Sequence, residues 1–584
     1  MPRARPYSSR HDTFHAGHRS ACARAVASLA VPIAASGCFP PGDGIEPPEN
    51  GIYFPTGLAL DAQARHLFVV NSDFDLQFNA GVLQSWDLER LREAVPAVCS
   101  SDADCPSGLA CDTEPSEQNG AVPSFFCVER SGSNAGRPCR GRGERTAAEA
   151  FIAPGRCAPI RPERPVGDSG PIIAGAVQIG AFATDVAFRA QPDDRALPDV
   201  SGRLFIPVRG DATLHFIDVS DDGALACGQT NNGGACDDRH RAGDEPEEDN
   251  TRGLRLPPEP YGVAASGDGR AVVITHQTEG AVSLFVHRWN EPPMLEFVQG
   301  GLPSRPIGLA AIPTPAAFAD TSYAPGFLAT FRNDASVFLL RFFEDGALSG
   351  DGAQPARPFL AAVDSASVAT NSSGSDSRGL AVDDSARRRA ERSCAEGDAA
   401  RQSECEASPA CTEPGAADEC AEQCVAAASQ DCLVAAASVP LDVFVANRTP
   451  PSLLIGRTSS SGLGSTADDV PTFYDSVPLS AGPSRVVVGD VTSVSGVREP
   501  RVFVSCFDSR SVYVYDPARR RVETIIESGR GPFALAVDSA HALLYVGHFT
   551  DSYVGVASLD QRVFPVYGKY IATIGVPTPP RASK

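Results

Sequence analysis

The chain is 584 residues long, with 42% hydrophobic residues and a formal net charge of −22. That acidic balance excludes a general affinity for nucleic acid phosphate and suits a protein kept soluble by charge. Beyond residue 37 no stretch is long and apolar enough to cross a bilayer as a helix.

At the N-terminus, Arg3, Arg5, Arg10, Arg19 and Arg24 precede an apolar run from Ala25 to Ala35, followed by Ser36, Gly37 and Cys38. A charged leader, a short apolar segment and small residues before a cut predict a signal peptide over 1–37. The run AASGC (34–38) resembles the lipobox of bacterial lipoproteins, with Ala35 where that motif usually has Leu. The resemblance implies lipidation of Cys38 and a place in the cell envelope, on the outer membrane or in the periplasm. Ordinary cleavage nearby would instead leave a secreted protein. Residues 38–51, rich in Pro and Gly, read as an extended tether.

From 52 to 575 one phrase recurs: a Pro/Gly-marked opening, an apolar strand, a turn, a second apolar strand with a polar end, and a third strand. PTGLAL (55–60) with LFVVN (67–71), PYGVAA (260–265) with AVVITH (271–276), and PFALAV (532–537) with LLYVGH (543–548) show it plainly. First strands begin near Gly57, Thr184, Gly262, Gly308, Gly379, Arg485 and Ala534. Third strands follow each second strand, and fourth strands are legible at 175–180, 294–300, 522–527 and 569–575. Units that cannot bury their apolar faces alone must stack on their neighbours. Four strands per unit and seven units predict an all-β fold, a seven-bladed β-propeller with whole blades at both ends. The tail 576–584 reads as disordered.

The cysteines fall into even groups. Cys99, Cys105, Cys111, Cys127, Cys139 and Cys157 lie in an insertion over 91–170, between the third and fourth strands of blade one. Cys227 and Cys236 occupy the same connection in blade two. Cys394, Cys405, Cys411, Cys420, Cys424 and Cys432 lie in a helical insertion over 385–438, between the first and second strands of blade five. In an exported chain such groups predict disulfides, with fifteen connectivities open for each six. Without a CxxC pair or a nearby His, zinc is the weaker reading. Cys506, in an apolar strand, is expected to be a free buried thiol. Alternating turn directions place all three insertions on one face.

VFVANRTPPSLLIG (443–456) and RVFVSCFDSRSVYVYDP (501–517) resemble the blades of YVTN-type bacterial β-propellers. The resemblance implies the propeller fold and leaves activity open, because this fold serves enzymes, binders and scaffolds alike.

Second-strand ends, aligned as Asn71, Arg209, His276, Arg332, Asn447, Phe507 and His548, should surround the channel mouth on the face opposite the insertions. Blade-opening loops add Thr56, Asp185, Tyr261, Arg305, Arg378 and Arg485. Arg209, His276, Arg332, Arg378, Arg485 and His548 are the candidate ligand-binding set, suited to a small anion. The structural alternative is that these polar residues only cap turns. An enzyme would use His276 or His548 as general base with arginines at the oxyanion, as in a lactonase-like or other hydrolytic propeller. CxxCH, GxSxG, phosphate-loop and HExxH motifs are absent, and no cofactor or metal is expected. The expected role is therefore a cell-envelope binding or scaffold propeller, with an envelope protein or glycan as partner and the hydrolase as the alternative.

Overall fold

The computed structural model describes residues 44–113, 124–131, 135–139, 143, 155–166, 170–192, 196–228, 234–244, 253–318, 323–344, 357–368, 376–408, 411, 417–459 and 469–578. The expected signal peptide, Cys38, the first part of the tether and most of the tail lie outside these residues.

Seven antiparallel sheets succeed one another along the chain. Blade 1 is built from Pro55–Leu60, His66–Asn71, Gly81–Asp87 and Ile173–Ile179. Blade 2 has Ala187–Ala190, Gly202–Val208 and Thr213–Val219, and its outer strand is two short pieces, Leu225–Ala226 and Arg241–Ala242. Blade 3 follows with Pro260–Ala265, Ala271–His276, Val282–Val286 and Met294–Gln299. Blade 4 uses Pro306–Ala311, Gly326–Phe331, Ser336–Phe343 and Phe359–Ser367. Blade 5 uses Ser377–Asp383, Asp442–Arg448, Pro451–Thr458 and Pro471–Pro478. Blade 6 uses Pro483–Thr492, Arg498–Cys506, Ser511–Asp516 and Arg521–Glu527. Blade 7 closes with Pro532–Asp538, Leu543–His548, Tyr553–Ser558 and Tyr570–Ile574. The first strands contact one another in cyclic order, blade 7 returning to blade 1, and so form the channel wall. This is the seven-bladed propeller expected from the repeat.

The core is distributed between the blades. In blade 3, Val272 and Ile274 face a cluster shared with Phe205 and Leu214 of blade 2. Ala271 and Val273 point the other way, into a cluster with Phe327 and Ala329 of blade 4. A strand that alternates between two apolar seams has no polar face, which is why second strands read as continuous apolar runs. The same division recurs at every seam, including that between blades 7 and 1, where Trp86, Leu67 and Val69 meet Tyr545, Val554 and Val556. Burying such a side chain stabilises the ring by about 2–3 kcal/mol.

No strand is shared across that last seam. It is fastened instead by the blade 1 insertion. Ile160 bridges Ile574 on the outer strand of blade 7, donating its N–H to Thr573 O at 2.8 Å and accepting from Gly575 N at 2.7 Å. The described part of the predicted tether is also laid on the ring. Gln84 Nε2 donates to Glu49 O and Gly51 O at 2.7 and 2.8 Å, and Glu49 Oε1 accepts from Gly234 N at 2.9 Å.

Disulfides join Cys99–Cys111, Cys105–Cys127 and Cys139–Cys157 in the first insertion and Cys227–Cys236 in blade 2. In the helical insertion, Cys394–Cys432, Cys405–Cys424 and Cys411–Cys420 are nested. Helix Ala417–Ala437 folds back on Ser385–Glu396 and Asp398–Glu406; its cysteines at i, i+4 and i+12 bond in reverse order to Cys411 in the loop, Cys405 on the second helix and Cys394 on the first. Gln430 of that helix donates to Ala317 O, in the first-to-second turn of blade 4, at 3.1 Å. Cys506 is free and buried.

Candidate functional site

The mouth of the channel is organised by one recurring hydrogen bond. The last second-strand residue paired to the first strand is Asn71, Val208, His276, Phe331, Asn447, Cys506 or His548. All of these are buried. The residue just beyond turns into the channel. Its N–H reaches back to the blade opening, from Ser72, Arg209, Gln277, Arg332, Arg448, Phe507 and Phe549 to the carbonyls of Phe54, Phe182, Glu259, Arg305, Asp376, Gly482 and Gly531, at 2.8–3.3 Å. Of the seven acceptors, all but Asp376 have positive φ, for example 59° at Phe182, 64° at Arg305 and 83° at Gly482. Because glycine and bulky residues share this conformation, the repeat backbone imposes it.

The aligned candidates therefore occupy two registers. Arg209, Arg332 and Phe507 belong to the half-buried register just beyond the strand ends, and Asn71, His276, Asn447 and His548 to the buried one. Burial pushes the His276 imidazole down to about 4 and His548 down to about 3. Nε2 of His276 bonds Ser283 Oγ at 2.7 Å, and Nε2 of His548 bonds Ser528 Oγ at 2.6 Å while its ring stacks on Tyr553. His276 thus bonds within blade 3, and His548 ties blade 7 to the connection leaving blade 6. Neither lines the funnel. Asn71 Oδ1 accepts from Tyr53 N at 3.1 Å and Asn447 Nδ2 donates to Pro450 O at 2.8 Å, both as turn caps.

A cavity of about 250 Å³ opens at this mouth. Thr56, Thr184, Tyr261, Ile307, Arg378, Ser484 and Phe533, one from each blade opening, form its inner ring. The next position in the phrase is Gly57, Gly262, Gly308, Gly379 or Ala534 in five blades, where first strands approach most closely. A Cβ on Gly308 would lie 2.1 Å from Arg378 O. In blades 2 and 6 the position carries Asp185 and Arg485, and these two exceptions bind each other. Two N–H···O contacts of 2.9 Å span the channel, and Arg485 also donates to Thr184 O at 3.3 Å and lies over the Phe533 ring at 5.1 Å. The pair is the floor of the funnel.

Above this floor the walls differ. Blades 6, 7, 1 and 2 contribute Phe507, Phe533, Phe549, Phe74 and Phe182. Phe74 meets Phe549 at 5.1 Å and Phe182 at 5.6 Å between centroids, and it remains 48% exposed. The remaining arc is cationic. Arg209 pairs with Glu259 at 2.7 Å, Arg448 with Asp508, and Arg378 with Asp376 through two bonds, one of 2.8 Å. Arg332 Nε lies 3.5 Å from the same Asp376 and has no hydrogen-bond partner among the described residues. Burial, with Arg378 beside it, pushes the Arg332 guanidinium below the usual arginine range against the pull of Asp376, and Arg305 adds to the repulsion. Sequence reasoning missed Arg448, Gln277 and the phenylalanines at 74, 182, 533 and 549. Counting each register from the Pro-x-Gly phrase would have found Arg448, Gln277, Phe533 and Phe549.

The described residues contain one sulfur cluster close enough for a metal, Cys99, Cys105 and Cys127, and all three are engaged in disulfides.

No protein-family model matches the sequence, and no curated protein matches it. Among solved structures, it is similar to the periplasmic gluconolactonase of Pseudomonas aeruginosa, at 13% identity and a TM-score of 0.38 over 82% of this chain and 86% of that one. It is also similar to a Lactobacillus plantarum protein, at 9% identity and a TM-score of 0.38 over 84% and 88% of the two chains. Saccharomyces cerevisiae Sqt1 gives 8% identity and a TM-score of 0.35 over 65% and 73%. Agreement at this level assigns no function.

Proposed function

We propose that this protein is a cell-envelope binding propeller of the YVTN type, lipid-anchored through Cys38, that holds a small anionic ligand at the mouth of its channel. The observation that carries the reading is the funnel's composition. Arg209, Arg378, Arg448 and Arg485 line the cavity, Arg332 shares the Asp376 carboxylate with Arg378 just behind them, and no histidine is among the lining residues. Such a site can hold charge and has no evident group for proton transfer at neutral pH. Seven disulfides support an oxidising compartment outside the cytoplasm. The lobes they build are the surface offered to an envelope protein or glycan.

The test is thermal shift of the purified mature protein against a panel of small carboxylates, sugar acids and sugar phosphates, with lactone turnover measured in parallel. Saturable stabilisation without turnover, weakened in Arg378→Gln, is expected. Turnover lost in His276→Ala or His548→Ala with the fold intact would replace this reading by the hydrolase. Loss of membrane fractionation in Cys38→Ala is the corresponding result for the anchor.

A further inference from the structure

The two walls of the funnel ask for different things of a ligand. A polar sugar acid would satisfy the arginines but leave the phenylalanine arc with nothing apolar to cover it. Phe74 and its neighbour Leu76 are 48% and 62% exposed at the rim, although Phe74 is anchored by rings on three sides. Exposed aromatic surface on a fixed backbone is costly unless something stacks on it. Phe74 is placed by the turn after Asn71, where Asp73 has a φ of 44° and accepts Phe78 N through Oδ1 at 3.2 Å.

Opposite that arc, Arg305, Arg332 and Arg378 gather around Asp376. Arg378 takes both carboxylate oxygens, Arg332 is left with a single loose ion pair, its Nε 3.5 Å from Asp376, and no described carboxylate bonds the side chain of Arg305. Asp334, the other acid in the adjoining turn, is bonded to Ser336 Oγ. The cluster therefore carries more guanidinium charge than its own carboxylate can neutralise, and a bidentate carboxylate is the group that fits a planar fork. Arg378 belongs both to this cluster and to the cavity lining. The floor beneath is closed by the neutral Arg485–Asp185 pair, so a ligand entering the mouth meets apolar rings on one side and cations on the other.

We propose that the channel mouth binds a small monocarboxylate carrying an aromatic or similarly flat apolar body, the carboxylate at Arg378, where Arg332 and Arg305 behind it add uncompensated positive charge, and the body against Phe74 and Phe549. This rests on the reading of the funnel as an anion site and narrows it to one ligand class. The cavity, about 250 Å³, is large enough for a single ring with a short acid side chain.

The experiment is isothermal titration of the mature protein with four probes: 3-phenylpropionate, 3-phenylpropanol, propionate and 6-phosphogluconate. The expected result is saturable binding of 3-phenylpropionate, at least tenfold tighter than the alcohol or propionate. Arg332→Gln and Phe549→Ala should each weaken it about tenfold, and added salt should weaken it further. Phe74→Ala, at an exposed rim position, tests the aromatic wall should Phe549→Ala fail to fold. Preferential binding of 6-phosphogluconate with sensitivity to Arg378→Gln would overturn the aromatic class while leaving an anion site in place. Equal binding of the alcohol, or no binding of any probe, would overturn both readings.

Discussion

The two faces of this ring vary by different means. On the funnel face the backbone is held constant: the same hydrogen bond recurs in every blade, and only the side chains at equivalent positions change. On the opposite face the side chains of the turns matter less, and whole lobes are inserted, each tied by its own disulfides. A fixed backbone permits side chains from distant blades to be paired across the channel, as Asp185 and Arg485 are. A lobe grown on one turn can acquire size and surface without disturbing the ring, provided it supplies its own cross-links.

Breaking the funnel side should cost most. Arg485→Ala strands Asp185 in a partly buried site and is expected to lower stability by about 4 kcal/mol. The double variant Asp185→Gly, Arg485→Gly, which makes all seven positions small, should recover most of that in chemical denaturation. A double variant as unstable as the single would show that the pair does not act as a unit. Acid provides the next test. The folded value of His276, about 4, lies below its ordinary 6.5, so its contribution is complete above pH 6.5 and is lost as pH falls toward 4. That amounts to about 3 kcal/mol at pH 4. In His276→Asn the fall in stability between pH 6.5 and 4 should be correspondingly shallower; an unchanged slope would remove this residue from the acid response. The lobe side should yield least. Replacing Cys227 and Cys236 together by Ala opens a loop of 9 residues and should cost about 2 kcal/mol, with ligand binding at the funnel unaffected. A loss of binding there would join the two faces that the architecture separates.

The strands most easily read in the sequence are those buried on both sides. AVVITH and LLYVGH divide their side chains between two seams and so appear as unbroken apolar runs. Outer strands such as Phe359–Ser367 and Pro471–Pro478 alternate between covered and solvated positions, contain Asp and Ser, and were not assigned from the sequence. The funnel was legible as a place but only half legible in its residues. Aligning polar residues at strand ends mixed two registers, because Asn71, His276, Asn447 and His548 are conspicuous one position before the residue that faces the channel. A one-residue shift along a strand exchanges the seam for the lumen. Phe74 sits in a loop where no repeat position marks it, Phe182 holds a blade-opening position filled by Phe, Glu, Arg, Asp or Gly in the other blades, and only the folded ring brings Phe74 beside Phe182 and Phe549.

The seam between blades 7 and 1 has a topological consequence. Phe54 N donates to Ser552 Oγ at 3.2 Å and Thr578 N to Asp551 O at 2.8 Å, so both ends of the propeller rest on the same turn. With no strand exchanged across the seam, nothing in the order of blades depends on where the chain starts. A short linker joining those ends and a cut between Gly300 and Gly301, in the connection from blade 3 to blade 4, would keep all seven seams and the Ile160–Ile574 bridge. The linear sequence is one of several equivalent ways to cut open a closed circle.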